Sequence, residues 1–250
     1  MAAVPRLLEK VYDKIYAKGE ELSGIKQKLF YWAVNIGLQY EPYQQNGFWY
    51  EFKLKIARKL ILSKWKEALG GNLEIIVSGS AALQVRLAKI FTAAEMTLVE
   101  GYGLTETSPI ISVGDMRNKN LKMGTVGKII EGVEVKIADD GEILCKGPNV
   151  MLGYYKQPEL TKEVMSGDFF HTGDIGEIDS DGFLIITDRK KEMFKTSGGK
   201  YIAPQVVENQ MKQSLFIEQI MVVGEGQKMA AAIIQPNFQF LRAWQKKEGI

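Results

Sequence analysis

The chain has 250 residues, of which 46% are hydrophobic, and its 32 basic and 30 acidic side chains leave a net charge of +2. That composition is typical of a packed globular protein, and the charge is too balanced to attract nucleic acid or an anionic membrane by itself. One cysteine, Cys145, and one histidine, His171, exclude an intramolecular disulfide and most zinc sites.

The amino-terminal part of the chain reads as helices without a targeting segment. No apolar run approaches roughly 18 residues, and the first residues lack the apolar middle of a signal peptide, so we expect a soluble, cytoplasmic protein. Across residues 1–70, apolar positions such as Leu8, Val11 and Ile15 share one helical face. A loop around Pro42 is predicted to divide two helices, and the helical pattern resumes after it.

A strand, a turn and a helix are predicted next. Residues 73–77 form a short apolar run suited to a buried strand, and SGSAAL at 78–83 leads into a helix with Ser80 as its N-cap. A second strand, residues 97–100, runs straight into the loop YGLTET at 102–107. This order favours parallel pairing of the two strands, with ligands bound at their carboxyl ends.

The middle of the chain, residues 122–187, is predicted to be rich in β structure because short apolar runs alternate with glycine. Asp140-Gly141 and Asp181-Gly182 are turn dipeptides between such runs. Further on, a helix that opens near Pro204 and two later strands read as a separate small α/β unit.

Three segments carry the chemistry: VEGYGLTETSPI at 99–110, HTGD at 171–174 and DRKKEMFKTSGGKYIAP at 188–204. The first places an aromatic ring, glycines, hydroxyl groups and a carboxylate directly after a strand, a set that can stack a base and hold the metal ion of a phosphate. Taken together, the segments resemble the adenylate-forming enzymes, especially the long-chain fatty acyl-CoA synthetases. In that family ATP and a carboxylic acid form an acyl-adenylate and pyrophosphate, and a thiol then takes the acyl group.

The resemblance implies an α/β fold. Residues 1–188 would be the carboxyl-terminal part of a large ATP- and acyl-binding domain, combining a mixed sheet and helices with the β-rich subregion. Residues 189–250 would begin a small mobile α/β domain. The sequence contains neither the family's Ser/Thr/Gly-rich phosphate loop nor the lysine near its carboxyl end. We therefore expect the middle of a longer enzyme, inactive or nearly so alone, because such groups position and stabilise the reacting phosphate.

For the adenine, the resemblance implies a binding site between an aromatic ring and a stretch of backbone. The ring of Tyr102 would stack on one face of the base, and the backbone of Gly79, Ser80 and Ala81 would support the other. Small residues suit this role because the main chain can approach the ligand closely. Gly103, in the same loop as Tyr102, would leave room beside the nucleotide and the acyl chain.

For the phosphates, the resemblance implies two adjacent residues as the catalytic pair. Thr105 would hydrogen-bond the α-phosphate, and Glu106 would hold Mg²⁺, a hard cation that prefers oxygen ligands. From spacing alone, the same segment could equally be a polar loop that caps a strand.

For the ribose, the resemblance implies Asp174 and Arg189. The carboxylate of Asp174 would accept hydrogen bonds from both ribose hydroxyls, and Arg189 would bind ribose or phosphate oxygens. Taken alone, these residues would be a solvated turn residue and a surface charge. A lone histidine is usually structural, and the resemblance requires no catalytic role of His171.

The segment DRKKE at 188–192 fits the hinge pattern of the family, with Lys191 as the pivot about which the small domain swings. SGGKYIAP at 197–204 would then form a turn facing the pantetheine channel of coenzyme A. The same stretch superficially matches a phosphate loop, but Tyr201 stands where that loop requires Ser or Thr.

Three functions stay open at this point. The first is an ATP-dependent long-chain fatty acid–CoA ligase that uses Mg²⁺ and coenzyme A and has no nucleic-acid partner. The second keeps the fold with another acceptor, as in acyl-carrier-protein ligases, luciferases or adenylation domains of peptide synthetases. The third is a non-catalytic module that binds nucleic acid through Lys190, Lys191, Lys195 and Lys200. The oligomeric state, and peripheral membrane contact of the parent enzyme, also stay open.

Overall fold

A computed structural model of the chain describes residues 1–249. It has two compact units, each assembled from segments that are not contiguous in sequence. The first unit contains Met1–Glu134, Lys146–Lys156 and Ile178–Ile185, and the second contains Val135–Cys145, Gln157–Glu177 and Ile186–Ile250. The domain boundary after residue 188 stays a prediction.

The chain is a mixed α/β structure, as the sequence predicted. Its α-helices are α1 (Pro5–Glu20), α2 (Gly24–Leu38), α3 (Phe48–Ala57), α4 (Ser63–Ala68), α5 (Val85–Ala93), α6 (Pro158–Glu163), α7 (Pro204–Met211) and α8 (Phe238–Glu248). A π-helical segment, Arg58–Leu62, joins α3 to α4 without a break.

The strands are short except for one of ten residues. They are β1 (Ala2–Ala3), β2 (Ile75–Ser78), β3 (Thr97–Tyr102), β4 (Ser112–Val113), β5 (Lys128–Ile129), β6 (Glu134–Ile137), β7 (Glu142–Lys146), β8 (Met165–Ser166), β9 (Phe169–Ile178), β10 (Leu184–Arg189), β11 (Phe194–Lys195), β12 (Tyr201–Ile202), β13 (Ile217–Val223) and β14 (Ala231–Pro236).

The core of the first unit lies where α1 and α2 pack on α5, which in turn packs on β3. Leu8 and Tyr12 face inward from α1, which begins at a proline in its first turn. The buried ring of Trp65 lies 5.8 Å from that of Tyr12 and 6.1 Å from that of Phe91, both in edge-on contacts. The predicted helical character of residues 1–70 is therefore confirmed.

The sheet of the first unit has the order β1-β2-β3-β4-β5, and β2 and β3 run parallel. In their register, Ile76 lies opposite Leu98 and Ser78 opposite Glu100. The predicted strand–helix–strand unit is thus confirmed. Ser80 as N-cap is wrong: α5 begins at Val85, and Ser80 has a left-handed backbone with φ of 69°.

Most of the second unit's β structure is one sheet of order β10-β9-β7-β6, with β8 also paired to β9. The sequence did not predict β9, although HTGD lies in the middle of it. Along this strand, Phe170, Thr172 and Asp174 are buried on alternate positions, as expected for one face of a sheet.

The last part of the second unit contains two antiparallel pairs, β11 with β12 and β13 with β14. The predicted helix near Pro204 is α7, and Glu208 on this helix accepts a hydrogen bond of 2.7 Å from the backbone of Val222. Among residues 1–249, no helix has both the length and the apolar character needed to cross a bilayer.

Candidate functional site

In the first unit, the predicted adenine-binding residues meet at one edge of the sheet. Gly79, Ser80 and Ala81 follow β2 directly, and Tyr102 is the last residue of β3. Because these strands are parallel neighbours, their carboxyl ends lie side by side. A Cβ added to Gly79 would lie 3.4 Å from the carbonyl oxygen of Gly101, so the loop backbone passes close to β3.

A buried polar atom at this edge has no protein partner among the described residues. The hydroxyl oxygen of Ser78, at the end of β2, is buried and makes no hydrogen bond. Two residues later the left-handed backbone of Ser80 turns the chain away from the sheet. Unsatisfied buried groups and strained backbone tend to occur where a ligand binds.

Glu100 holds the loop after β2, a role that the sequence did not predict. Its carboxylate accepts a hydrogen bond from the backbone N–H of Leu83. Burial raises the pKa of Glu100 to about 8, and the Leu83 N–H offsets only part of this effect. The only feature of the sequence that could have indicated this role is that Glu100 is the one charged residue in β3.

The loop after β3 is shaped by backbone contacts within it. A Cβ at Gly103 would overlap the carbonyl oxygen of Pro109, so only glycine fits there. The buried hydroxyl of Thr107 accepts a hydrogen bond from the N–H of Leu104 at 2.9 Å and donates to its carbonyl at 3.1 Å. The resulting turn leaves Thr105 exposed to solvent.

Glu106, the predicted metal ligand, is oriented from two sides. Its carbonyl accepts a hydrogen bond of 2.7 Å from the N–H of Met151, and its carboxylate accepts one of 3.0 Å from the hydroxyl of Tyr154. Burial and the hydrogen bond to Glu106 raise the pKa of Tyr154, so this phenol stays a donor. Sequence reasoning missed Tyr154; the only signal was the aromatic pair in GYY at 153–155.

The residues described contain no cluster of three or more His, Cys, Asp or Glu side chains that could hold a metal ion. Glu106 as a ligand of Mg²⁺ stays a prediction.

In the second unit, a β-bulge in β9 explains the glycine of HTGD. The register of β9 against β7 shifts between Glu142 and Leu144, and Gly173 has φ of 73°. The N–H of Gly173 donates to the Glu142 carboxylate at 3.0 Å, and its carbonyl accepts from the N–H of Lys190 at 2.8 Å. Bulges re-aim the neighbouring side chain, here that of Asp174.

The structure brings Asp174 and Arg189 into contact. The Asp174 carboxylate is buried and accepts a hydrogen bond of 3.1 Å from Nε of Arg189, whose side chain is 59% exposed. The backbone N–H of Asp174 donates to the hydroxyl of Thr172 at 3.2 Å. Asp174 is therefore not a solvated turn residue, and the pair presents acceptor and donor groups side by side.

A polar cluster around Glu142 includes the only histidine. The buried carboxylate of Glu142 lies 3.0 Å from Nδ1 of His171 and accepts a 2.7 Å bond from the ammonium of Lys190, which also contacts Asp140 at 2.6 Å. Burial alone would raise the pKa of Glu142, but hydrogen bonds from Lys190, His171 and Gly173 outweigh it and lower that pKa. Lys190 is thus already paired within its own unit.

The predicted hinge residue, Lys191, is exposed in the turn after β10. Just before it, Asp188 is buried; one carboxylate oxygen accepts the N–H of Arg189 at 2.7 Å, and the other has no partner among the described residues. Burial raises the pKa of Asp188. The turn after Lys195 leads into β12 and not into a helix, which agrees with the rejection of a phosphate loop.

Comparison with known proteins identifies the family. Residues 1–155 match the model of the family described as AMP-binding enzyme. This chain belongs to the AMP-binding enzyme family. It is 36% identical over 252 residues to the long-chain-fatty-acid–CoA ligase FadD15 of Mycobacterium bovis, covering 100% of this chain and 41% of that protein.

Two further similarities agree with this assignment. The chain is 33% identical over 264 residues to long chain acyl-CoA synthetase 3 of Arabidopsis thaliana, covering 99% of this chain and 39% of that protein. The structure of O-succinylbenzoate coenzyme A synthetase from Bacillus subtilis, solved with ATP and a magnesium ion, aligns with a TM-score of 0.59 and 23% identity. That alignment covers 73% of this chain and 43% of the other, and it supports the fold. This chain thus spans about two-fifths of the length of these curated relatives.

Glu100→Gln should stabilise the chain at alkaline pH. In the folded state the pKa of Glu100 is about 8, above its ordinary value of 4.5, so stability falls as the pH rises between these values. The amide keeps an acceptor for Leu83 and cannot ionise. The stability of this variant relative to wild type should therefore be greater at pH 8 than at pH 5, by roughly 3 kcal/mol. Urea unfolding at both pH values measures this difference; equal differences would contradict the assigned pKa.

Glu142→Ala should destabilise the chain by about 2 kcal/mol, because Lys190, His171 and the N–H of Gly173 lose their common acceptor. Glu142→Gln serves as the matched variant that retains an acceptor. Since the pKa of Glu142 is lowered in the folded state, its charge stabilises above the ordinary value of 4.5. The difference in the free energy of unfolding between wild type and Glu142→Gln should decrease as the pH falls through the lowered pKa of Glu142 in the folded state. A difference that does not change with pH would show that the charge of Glu142 contributes nothing to stability.

Proposed function

We propose that this chain supplies the nucleotide-binding part of an ATP-dependent long-chain fatty acid–CoA ligase. Such an enzyme joins the fatty acid carboxylate to AMP with release of pyrophosphate and then passes the acyl group to the thiol of coenzyme A. The observation that carries the proposal is the meeting of Gly79–Ala81 with Tyr102 at the carboxyl edge of parallel strands. The acyl substrate and the acceptor rest on relatives that are 36% and 33% identical.

An adenine fits the chemistry of this edge. The backbone of Gly79 offers a surface free of a side chain, and in this proposal the ring of Tyr102 forms the opposing face. The unpartnered hydroxyl of Ser78 lies at the same end of β2. A purine would cover the loop that Glu100 holds in place.

The residues assigned to the phosphate and the metal ion, Thr105 and Glu106, lie in the turn that follows β3. Thr105 presents an exposed hydroxyl that can donate to the α-phosphate. Bound Mg²⁺ would supply positive charge that stabilises the charge developing on the phosphate oxygens. The carboxylate of Glu106, held by Tyr154, is an oxygen ligand of the kind this cation prefers.

The ribose is assigned to Asp174, and Arg189 is assigned to ribose or phosphate oxygens. Because the guanidinium group covers this carboxylate, a ribose that reaches Asp174 must share it with Arg189. Lys191 remains the proposed pivot of the small domain.

Calorimetric titration of the chain with AMP and with 2′-deoxy-AMP tests the ribose assignment. Wild type should bind AMP at least tenfold more tightly than 2′-deoxy-AMP, because the deoxy sugar cannot form the hydrogen bond from its 2′ position to the carboxylate of Asp174. Asp174→Ala should bind both ligands weakly and equally, and Tyr102→Ala should weaken both while preserving their ratio. Tyr155→Ala, which alters an exposed tyrosine, is the matched control. An unchanged ratio in Asp174→Ala would refute the assignment.

The ligase activity is tested on the complete protein with ATP, palmitate and coenzyme A, by measuring pyrophosphate release and acyl-CoA formation. We expect both products from the complete protein and no measurable turnover from the 250 residues alone. Acyl-adenylate without acyl-CoA would point to another acceptor. Robust turnover by the isolated chain would contradict the expectation that it needs further segments.

A further inference from the structure

Helix α3 exposes large apolar side chains along its outward face. Phe48, Trp49 and Phe52 are 77%, 72% and 52% exposed, and Ile56 lies one turn further along the same side. The positions of Phe48, Phe52 and Ile56 repeat every four residues, which aligns them in a stripe. Scattered single apolar residues on a surface are ordinary, but a contiguous aromatic stripe marks an interaction site.

The opposite face of α3 anchors this helix firmly to the first unit. Tyr50, Leu54 and Ala57 are buried, and the hydroxyl of Tyr50 donates a 2.7 Å hydrogen bond to the carbonyl of Ile36. The outward aromatic residues are therefore not core residues displaced by a misaligned helix. They face solvent because the inner face of α3 already packs against the rest of the first unit.

Basic residues surround the aromatic stripe. Residues 48–62 contain four basic side chains and one acidic side chain, Glu51, whereas the whole chain has a net charge of only +2. Lys53, Lys55 and Lys59 are exposed, and none forms an ion pair within the described part of the chain. At 100° per residue along α3, Lys55 falls on the same outward side as Phe48. Cations and aromatic rings thus share one surface.

The combination of exposed aromatic side chains and lysines on α3 favours a lipid surface over a protein partner. A protein surface that buried the stripe would also desolvate the unpaired ammonium groups, which is costly without matching carboxylates. At a bilayer surface, aromatic rings lie among the headgroups while lysine stems extend to the phosphates. We propose that α3 and the adjoining segment Arg58–Leu62 dock on an anionic phospholipid bilayer, with the helix lying parallel to its surface. The proposal does not depend on the ligase assignment.

Flotation of the chain with lipid vesicles tests this proposal. Vesicles of phosphatidylcholine alone are compared with vesicles that also contain phosphatidylserine, at low and high salt. We expect the chain to float with the anionic vesicles, to bind the neutral ones far more weakly, and to lose affinity as salt screens the lysines. Equal binding to both vesicle types, or no binding to either, would overturn the proposal.

Two variants locate the contact. The triple change Lys53→Gln, Lys55→Gln and Lys59→Gln should lower partitioning to anionic vesicles roughly a hundredfold, from about a factor of five for each charge. The double change Trp49→Ser and Phe52→Ser should lower it at least tenfold, from the lost apolar burial. Ile25→Ser with Tyr155→Ser is the matched control, because these side chains lie elsewhere and are at least as exposed as Trp49 and Phe52. Circular dichroism verifies that each variant is folded.

The same variants separate the other occupants of this face. If the chain does not float but self-associates in gel filtration, and Trp49→Ser with Phe52→Ser abolishes that association, a second copy is the occupant and the proposal fails. If the isolated chain floats and the complete protein does not, another part of the protein covers α3, and the proposal fails as well. Variants that float like wild type would also refute it.

Discussion

Parallel pairing of β2 with β3 is the constraint on which the site of the first unit depends. The register that sets Ser78 opposite Glu100 brings the loop after one strand beside the end of the other. Glu100 then ties the two together through the N–H of Leu83, although burial of this carboxyl raises its pKa to about 8. Burial of an ionisable group usually costs stability. The buried carboxyl group of Glu100 instead holds the loop after β2 in a defined position.

In the second unit, a carboxylate also fixes the backbone beside residues assigned to the nucleotide. Its bulge at Gly173 is held by the carboxylate of Glu142, and the same carboxylate also binds Lys190 and contacts His171. In both units a left-handed residue, Ser80 or Gly173, lies next to groups assigned to the nucleotide. For Gly173 this conformation costs little. For Ser80 it is strained, and such strain persists only where the surrounding structure enforces it.

Local periodicity was enough to predict the amino-terminal helices and the parallel β2–β3 pair, because each of these signals lies within a few residues. The strand β9 was missed since the bulge and polar residues of HTGD interrupt its alternation. Ser80 was wrongly assigned as an N-cap because nothing local shows that the loop continues to Gln84. Tyr154 and Glu106 are 48 residues apart, so their contact is visible only in the fold. Likewise, a balanced overall charge concealed the basic surface of α3.

The central claim is that a purine lies between the ring of Tyr102 and the backbone at Gly79–Ala81. Photolabelling with 2-azido-AMP, followed by proteolysis and mass spectrometry, tests it most directly. The label should attach to Tyr102 or to residues 79–81, and excess AMP should prevent labelling. Label that attaches elsewhere on the chain, or that excess AMP does not displace, would contradict it.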